Sequence, residues 1–128
     1  MPTLRAAFAI TSWDYTAYDE PAAGPPAGLA VIGKAYSGPL EGTAEARMLT
    51  VQGDDGRAYL AQERIVGTLD GRAGSFVLQH GAQDAPGAEP QQWAFVVPGS
   101  GTGQLAGLRG TGVVQHERLT LDYDLPEQ

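Results

Sequence analysis

Two histidines of this sequence occupy matching positions behind a repeated glycine motif. Gly67-Thr-Leu-Asp-Gly71 precedes His80, and Gly103-Gln-Leu-Ala-Gly107 precedes His116, with nine residues from the last glycine to the histidine in each copy. A neutral imidazole exchanges a proton near neutral pH and can also bind a metal. The repeat therefore predicts that both histidines line one mouth of the fold. The alternative is that they are rim residues bonded to loop carbonyls, and without an identifiable third ligand no metal site is predicted.

Glu63 is the second candidate for acid or base chemistry. It adjoins Arg64 in the middle of a predicted strand, so one of these two side chains must point inward. We expect Glu63 to face inward, because its face of the strand also carries Tyr59, Ala61 and Ile65. A carboxyl group in an apolar lumen is a candidate general acid or base. The alternative is an exposed cross-strand ion pair.

Further polar and aromatic side chains are predicted to contact a ligand beside the catalytic pair Glu63 and His80. Glu41 lies in a weaker upstream copy of the motif, Gly38-Pro-Leu-Glu-Gly42, and could join Glu63 from the neighbouring hairpin. The predicted substrate-binding residues are Trp13, Glu41, Tyr59, Phe76, Trp93, His116 and Tyr123. For the aromatic members, the alternative is core packing.

Alternation of apolar and polar residues predicts the elements that position these side chains. Its clearest case is the last strand, where Leu119, Leu121 and Tyr123 alternate with Thr120 and Asp122. The eight predicted strands are Thr3 to Trp13, Leu29 to Ser37, Gly42 to about Gln52, Arg57 to Leu69, Gly71 to His80, Gln92 to Val97, a strand after Gly107, and Glu117 to Leu125. The proline-rich segments 14–27 and 82–90 are predicted loops, and Gly53-Asp-Asp-Gly56 predicts a tight hairpin.

The predicted fold is all-β, an eight-stranded antiparallel up-and-down β-barrel. Strands joined by tight antiparallel corners remove their unpaired edges by closing into a barrel. Eighteen glycines oppose helix formation, and glycines at repeated corners let strands bend. A β-sandwich is the alternative, because the number of strands does not separate the two architectures.

Length and composition limit the classes of function. The chain has 128 residues, which fits one domain over residues 1–128 that needs no metal or disulfide. It has no cysteine, a net charge of -7 and only scattered basic residues, which argues against nucleic acid as a partner. The first residues, Met-Pro-Thr-Leu-Arg, lack a basic region followed by a long apolar core, and no apolar run in the sequence approaches the ~20 residues of a membrane span. We therefore expect a soluble, cytoplasmic protein without a membrane partner.

Several motifs together resemble a bacterial family of unknown function whose fold is similar to the allene oxide cyclase barrel. They are Tyr36-Ser-Gly with Leu40-Glu-Gly-Thr, Glu63-Arg with Gly67, Gly71-Arg-x-Gly-Ser-Phe-Val-Leu-Gln-His80, Val97-Pro-Gly-Ser-Gly-Thr-Gly-x-Leu-Ala-Gly-Leu-Arg-Gly110 and Leu121-Asp-Tyr123. The resemblance covers the chain from about Trp13 to Tyr123. It implies an eight-stranded antiparallel barrel and assigns no activity.

Barrels of this kind suggest three functions. The first is a cofactor-free cyclase or isomerase that holds a polyketide-like or lipid-like substrate, with Glu63 as acid or base and His80 as an accessory group. The second is a module that binds a small apolar ligand without turnover. The third is a purely structural barrel that forms a homo-oligomer and whose lumen is packed by side chains. A continuous apolar cavity beside a buried Glu63 would favour the first two.

Overall fold

The computed structural model describes residues 2–126, which form eight antiparallel strands closed into a barrel. The strands are β1 (Thr3–Asp19), β2 (Ala27–Ser37), β3 (Leu40–Gly53), β4 (Gly56–Leu69), β5 (Arg72–Asp84), β6 (Gln91–Val96), β7 (Arg109–Gln115) and β8 (Arg118–Asp124). Each strand pairs with the next along the chain, and β1 pairs with β8. The predicted eight-stranded antiparallel barrel is therefore confirmed, and the sheet closes on itself where a sandwich would stay open.

Alternation along the strands was the correct basis for the prediction. In β8 the side chains of Leu119, Leu121 and Tyr123 are buried, whereas Arg118, Asp122 and Asp124 are exposed. The hairpin predicted at Gly53 to Gly56 joins β3 to β4, as the pairing of these two glycines shows.

The first strand is longer than predicted, and a bulge alters which of its side chains face inward. It continues to Asp19, paired with β2, so the loop predicted over residues 14–27 shortens to residues 20–26. The register shifts between Ile10 and Ser12. A bulge adds one unpaired residue, so the odd-numbered Trp13 and Tyr15 beyond it turn toward the lumen.

One half of the barrel is filled by large apolar side chains. We call it the closed half, and its core is the cluster Leu4, Ala6, Phe8, Tyr36, Leu40, Ala44, Ile65, Leu69, Phe76, Leu78, Ala94, Val96, Leu105, Leu108, Leu119, Leu121 and Tyr123. All three glycine motifs lie at this end, at the β2–β3 turn, the β4–β5 turn and the connection from β6 to β7. Leu105 and Leu108 of that connection are buried and cover the end of the barrel.

The connection from β6 to β7 contains the one helical segment in the described part of the chain, the 3-10 turn Gly103–Leu105. It is fastened to β5, because Thr102 accepts a hydrogen bond from the Ser75 N–H through its side-chain oxygen and donates its own N–H to the Ser75 carbonyl.

Within residues 2–126 no helix is long and apolar enough to cross a membrane.

The other half, which we call the open half, has alanine at inward positions on three neighbouring strands, Ala46 on β3, Ala61 on β4 and Ala82 on β5. Eight strands enclose just enough space for side chains to fill. Because these three positions carry only a methyl group, the open half keeps space that side chains do not fill.

Candidate functional site

A cavity of about 940 Å³ occupies the open half. Its wall is largely apolar and includes Phe8, Ile10, Ile32, Ala46, Met48, Ala61, Ala82 and Val114. Trp13, Tyr15, Arg57, Asp84, His116 and Glu117 border it toward the mouth. Lys34, Tyr59 and His80 contribute polar groups, and Lys34 and His80 lie deepest, with 5% and 4% of their surfaces exposed. We call these three residues the floor of the cavity.

Glu63 lies directly behind the floor and holds two of its side chains. Its Oε1 accepts hydrogen bonds from Lys34 Nζ at 2.8 Å and from His80 Nε2 at 3.0 Å. Its Oε2 accepts the Tyr36 hydroxyl at 2.6 Å. The Glu63 side chain is 0% exposed, so it acts on the cavity through the groups it bonds.

The hydrogen bonds to Glu63 decide its ionisation. Burial alone would raise the pKa of Glu63, but the hydrogen bond from His80 and the charge and hydrogen bond of Lys34 outweigh it and hold that pKa at about 2. Glu63 is therefore a carboxylate at neutral pH. Burial and this neighbouring charge also raise the pKa of Tyr36 and that of Tyr59, so both remain phenols.

Lys34 reaches Glu63 across an intervening strand. Lys34 lies on β2 and Glu63 on β4, and the strand between them carries Ala44 opposite Lys34 and Ala46 opposite Glu63. Two alanines leave room for the long lysine side chain to cross β3. The ammonium also lies 4.2 Å from the centre of the Phe8 ring, a cation–π contact that helps to hold it in an apolar wall.

His80 connects Glu63 to Tyr59. An ionised carboxylate only accepts hydrogen bonds, so His80 Nε2 carries a proton and donates it to Glu63. In the neutral ring Nδ1 is then an acceptor, and it lies 3.0 Å from the Tyr59 hydroxyl, which donates to it. Tyr59, His80 and Glu63 thus form a hydrogen-bonded chain from the cavity wall to a buried carboxylate.

The structure brings together four of the predicted site residues. His80, Tyr59, Trp13 and His116 all border the cavity, and their contact with a ligand stays a prediction. Glu63 faces inward and Arg64 outward, which confirms the predicted orientation of this pair. The catalytic roles given to Glu63 and His80 stay predictions.

The predicted position of His80 at a strand end was wrong. β5 continues to Asp84, so His80 lies within the strand and deep in the lumen, whereas His116 lies in the β7–β8 turn at the mouth. The repeat is real in sequence, but the two histidines lie at different depths because β5 extends beyond the motif and β7 does not.

Four other predicted substrate-binding residues lie away from the cavity. Glu41 is exposed at the closed end, opposite Thr68. Phe76 points inward but packs in the closed half, and so does Tyr123, whose hydroxyl bonds Asp70. The core-packing alternative was correct for these two aromatic residues.

Trp93 faces the outside of the barrel. It pairs with Gly81, and directly opposed residues of an antiparallel pair share a face, so its neighbour Ala94 shares the inward face with His80. The Trp93 indole covers the outer side of Gly81, where a Cβ would lie only 2.7 Å from the ring, and stacks on Phe95 at 5.7 Å.

Sequence reasoning did not identify Lys34 or Tyr36. Both faces of β2 are apolar, so alternation alone could not show which way Lys34 points. One signal was available, because Lys34 is the only lysine among eight basic residues and lies in the middle of an apolar strand. An isolated charge in such a strand indicates either an exposed side chain or a buried partner.

The polar groups of the site are joined in one hydrogen-bonded network. Within residues 2–126 no group of three or more His, Cys, Asp or Glu side chains is placed to hold a metal ion. Every buried side-chain nitrogen or oxygen in that range has a hydrogen-bond partner. The floor is therefore a fully connected polar network facing an apolar space.

Comparison with known proteins identifies the family. The chain is similar over its whole length to a protein of unknown function from Shewanella oneidensis MR-1, solved as a crystal structure of the DUF3224 family at 1.84 Å resolution. The two share 28% sequence identity with a TM-score of 0.86, over 100% of this chain and 99% of the other. No curated protein matches, and the likeness to the allene oxide cyclase barrel stays a prediction. Residues 4–126 match the family described as protein of unknown function (DUF3224), and the chain belongs to that family.

Proposed function

We propose that this protein binds an apolar small molecule inside its barrel, with a polar end of the molecule on the floor formed by Lys34, Tyr59 and His80. The observation that carries the proposal is the cavity of about 940 Å³ whose apolar wall ends on these three groups. Small-molecule sites typically have volumes of about 300–1,000 Å³, an apolar lining and a few convergent polar groups. A cytoplasmic location, expected from the composition, belongs to the same proposal.

The contrast between the two halves supports ligand binding over simple packing. A lumen that served only stability would be filled by side chains at the density of other protein interiors. Here Phe76 and Leu78 fill the closed half of β5, whereas Ala82 of the same strand leaves space in the open half. Three inward alanines, Ala46, Ala61 and Ala82, border the cavity, and a buried ion pair is maintained at its base.

Fluorescence of N-phenyl-1-naphthylamine, an uncharged apolar dye, tests the proposal. We expect saturable binding that Ala61→Phe weakens at least tenfold, because Ala61 borders the cavity and a phenyl ring would fill part of it. The matched control is Val66→Phe, which adds a similar ring on the outer face of β4 and should bind the dye as the unmodified protein does. Absence of binding, or equal binding by Ala61→Phe, would instead favour the purely structural, oligomeric barrel.

A cofactor-free cyclase or isomerase of a polyketide-like or lipid-like molecule is the second candidate. The specific observation in its favour is the chain Tyr59–His80–Glu63, which could move a proton between an apolar cavity and a buried carboxylate. Ionisable groups in an apolar cleft often mark catalytic sites, although fold alone fixes no activity.

The catalytic candidate is tested with whatever molecule co-purifies. Native mass spectrometry identifies a bound molecule, and incubation with excess of it, followed by chromatography, reveals any isomer formed. Conversion that is lost in Tyr59→Phe supports catalysis, whereas recovery of the unchanged molecule supports binding alone.

A further inference from the structure

We infer that the floor of the cavity takes the carboxylate of an amphipathic organic acid, and that His80 gains a proton when the acid binds. This inference rests on the proposed ligand-binding function and specifies its ligand class.

When the His80 ring is neutral, the charges of the floor and of Glu63 cancel. Glu63 contributes one negative charge and Lys34 one positive charge, at a separation of 2.8 Å. An ammonium group has three N–H donors, and Glu63 uses one of those on Lys34. Because Lys34 borders the cavity, donor capacity is left for a ligand atom.

When the His80 ring is neutral, its hydrogen bonds direct the Tyr59 hydroxyl proton away from the cavity. His80 Nε2 donates to Glu63, so Nδ1 accepts the Tyr59 hydroxyl proton. The side of the Tyr59 oxygen that faces the cavity then offers lone pairs. With neutral His80, the floor presents one donor, Lys34 Nζ, and one acceptor, Tyr59 Oη, to the cavity. Together with Glu63 it has no net charge.

Protonation of His80 reverses this arrangement. An imidazolium donates at both ring nitrogens, so Nδ1 now donates to the Tyr59 oxygen and the hydroxyl proton turns toward the cavity. The floor then carries one net positive charge and presents two donors, Lys34 Nζ and Tyr59 Oη. A carboxylate complements it, with one negative charge and two acceptor oxygens.

Protonation of His80 depends on the titratable groups that surround it. The titratable groups that face it are Tyr59 and Glu63 from β4, Lys34 and Tyr36 from β2, and Asp84 on its own strand, with Arg57, His116 and Glu117 at the mouth. Its cross-strand partner on β6 is Ala94, which carries no charge. Glu63 is the nearest anion, and it stabilises an imidazolium as well as the ammonium of Lys34.

Thermodynamic linkage gives the size of the expected pH dependence of binding. If the carboxylate favours protonated His80, then lower pH must strengthen binding of the acid by the same factor. One coupled proton corresponds to about a tenfold change in affinity per pH unit in the range where His80 is neutral before binding. An uncharged ligand of the same length should show little of this dependence.

The test compares decanoate with 1-decanol, which have the same chain length and differ in the head group. Isothermal titration calorimetry on the whole chain, in two buffers of different ionisation enthalpy between pH 6.5 and 8.5, gives affinity and proton uptake together. We expect decanoate to bind at least tenfold more tightly than decanol at pH 6.5, with uptake of one proton at the alkaline end of this range. In ¹⁵N spectra of the His80 ring, decanoate should move Nδ1 to the protonated state.

Variants separate this inference from the proposed function. Tyr59→Phe removes only a hydroxyl and should narrow the preference for decanoate several-fold, and His80→Asn should abolish proton uptake. Arg64→Met on the outer face of β4 is the control and should keep the unmodified affinities. Equal binding of decanol and decanoate, or decanoate binding without proton uptake, overturns the inference and leaves the proposed function standing. Failure of both ligands and of the uncharged dye overturns the two together.

Discussion

Lys34 Nζ lies 2.8 Å from Glu63 Oε1, and the pair joins β2 to β4 across the strand that separates them. Both side chains are buried, at 5% and 0% exposure. A buried ion pair contributes little net stability, but removing one partner leaves the other charge without compensation. The pair therefore fixes the geometry of the floor, and its integrity should be visible in stability measurements.

Replacing Glu63 should destabilise the fold strongly. In Glu63→Gln the Lys34 ammonium loses its buried counter-charge, and we expect a loss of about 3–5 kcal/mol in the free energy of unfolding. Urea unfolding measures it. The control is Glu45→Gln, which breaks the exposed pair with Arg47 and should cost less than about 1 kcal/mol. Similar costs for both variants would contradict a buried ion pair.

Acid should destabilise the protein through the same carboxylate. The pKa of Glu63 in the folded chain is about 2, below the ordinary 4.5, so the unfolded chain takes up this proton more readily. The resulting stabilisation is complete above about pH 4.5 and is lost as the pH falls toward about 2. Urea midpoints between pH 2 and 7 should therefore fall less steeply for Glu63→Gln than for the unmodified protein. An unchanged slope would show that Glu63 has an ordinary pKa in the folded chain.

The closed and open halves should respond differently to loss of side-chain volume. Phe76 is fully buried among large neighbours, and Phe76→Ala should cost about 3–5 kcal/mol because it leaves a void. Met48 borders a cavity that already exists, so Met48→Ala adds less new void and should cost less than about 2 kcal/mol. Thermal unfolding of the two variants compares them directly. Equal losses would mean that the open half is packed in solution.

The glycine pair near the closed end should resist substitution. Gly42 and Gly67 are opposite each other in β3 and β4, and a Cβ on Gly67 would lie 2.1 Å from the Glu41 carbonyl oxygen. Since backbone atoms cannot yield as a flexible side chain can, Gly67→Ala should cost about 1–3 kcal/mol. Thr68→Ala, at the exposed next position, should stay within about 0.5 kcal/mol. If Gly67→Ala also costs less than about 0.5 kcal/mol, then β3 and β4 can separate at this glycine pair.

Much of the fold could be predicted because it depends on local patterns. Alternation in β8 and the turn residues between β3 and β4 are properties of short segments, and they fix strands and hairpins without knowledge of distant contacts. Glu63 was expected to face inward on similar grounds, because Tyr59, Ala61 and Ile65 share its face, with an exposed ion pair as the alternative. The bulge in β1 was missed, because a single added residue leaves almost no trace in a sequence pattern.

The candidate site was predicted less well, because a side chain's depth along the lumen depends on pairing between strands. Phe76 and His80 share one face of β5 four residues apart, yet one packs in the closed half and the other borders the cavity. Trp93 was predicted to contact a ligand or to pack in the core, but its register opposite Gly81 places it on the outside.

Eight antiparallel strands and their order along the chain could be predicted from the sequence alone, since they follow from alternation and turn chemistry. For Glu63 the sequence left both an inward side chain and an exposed ion pair open, and the structure shows the inward one. Only the tertiary structure decided that small residues from three strands, β3, β4 and β5, meet at one end and leave a cavity there. It also decided that the single lysine, Lys34, crosses two alanines of β3 to meet Glu63. The physical reason is that a cavity and a buried ion pair are properties of several strands in register, and no single strand encodes the register of its neighbours.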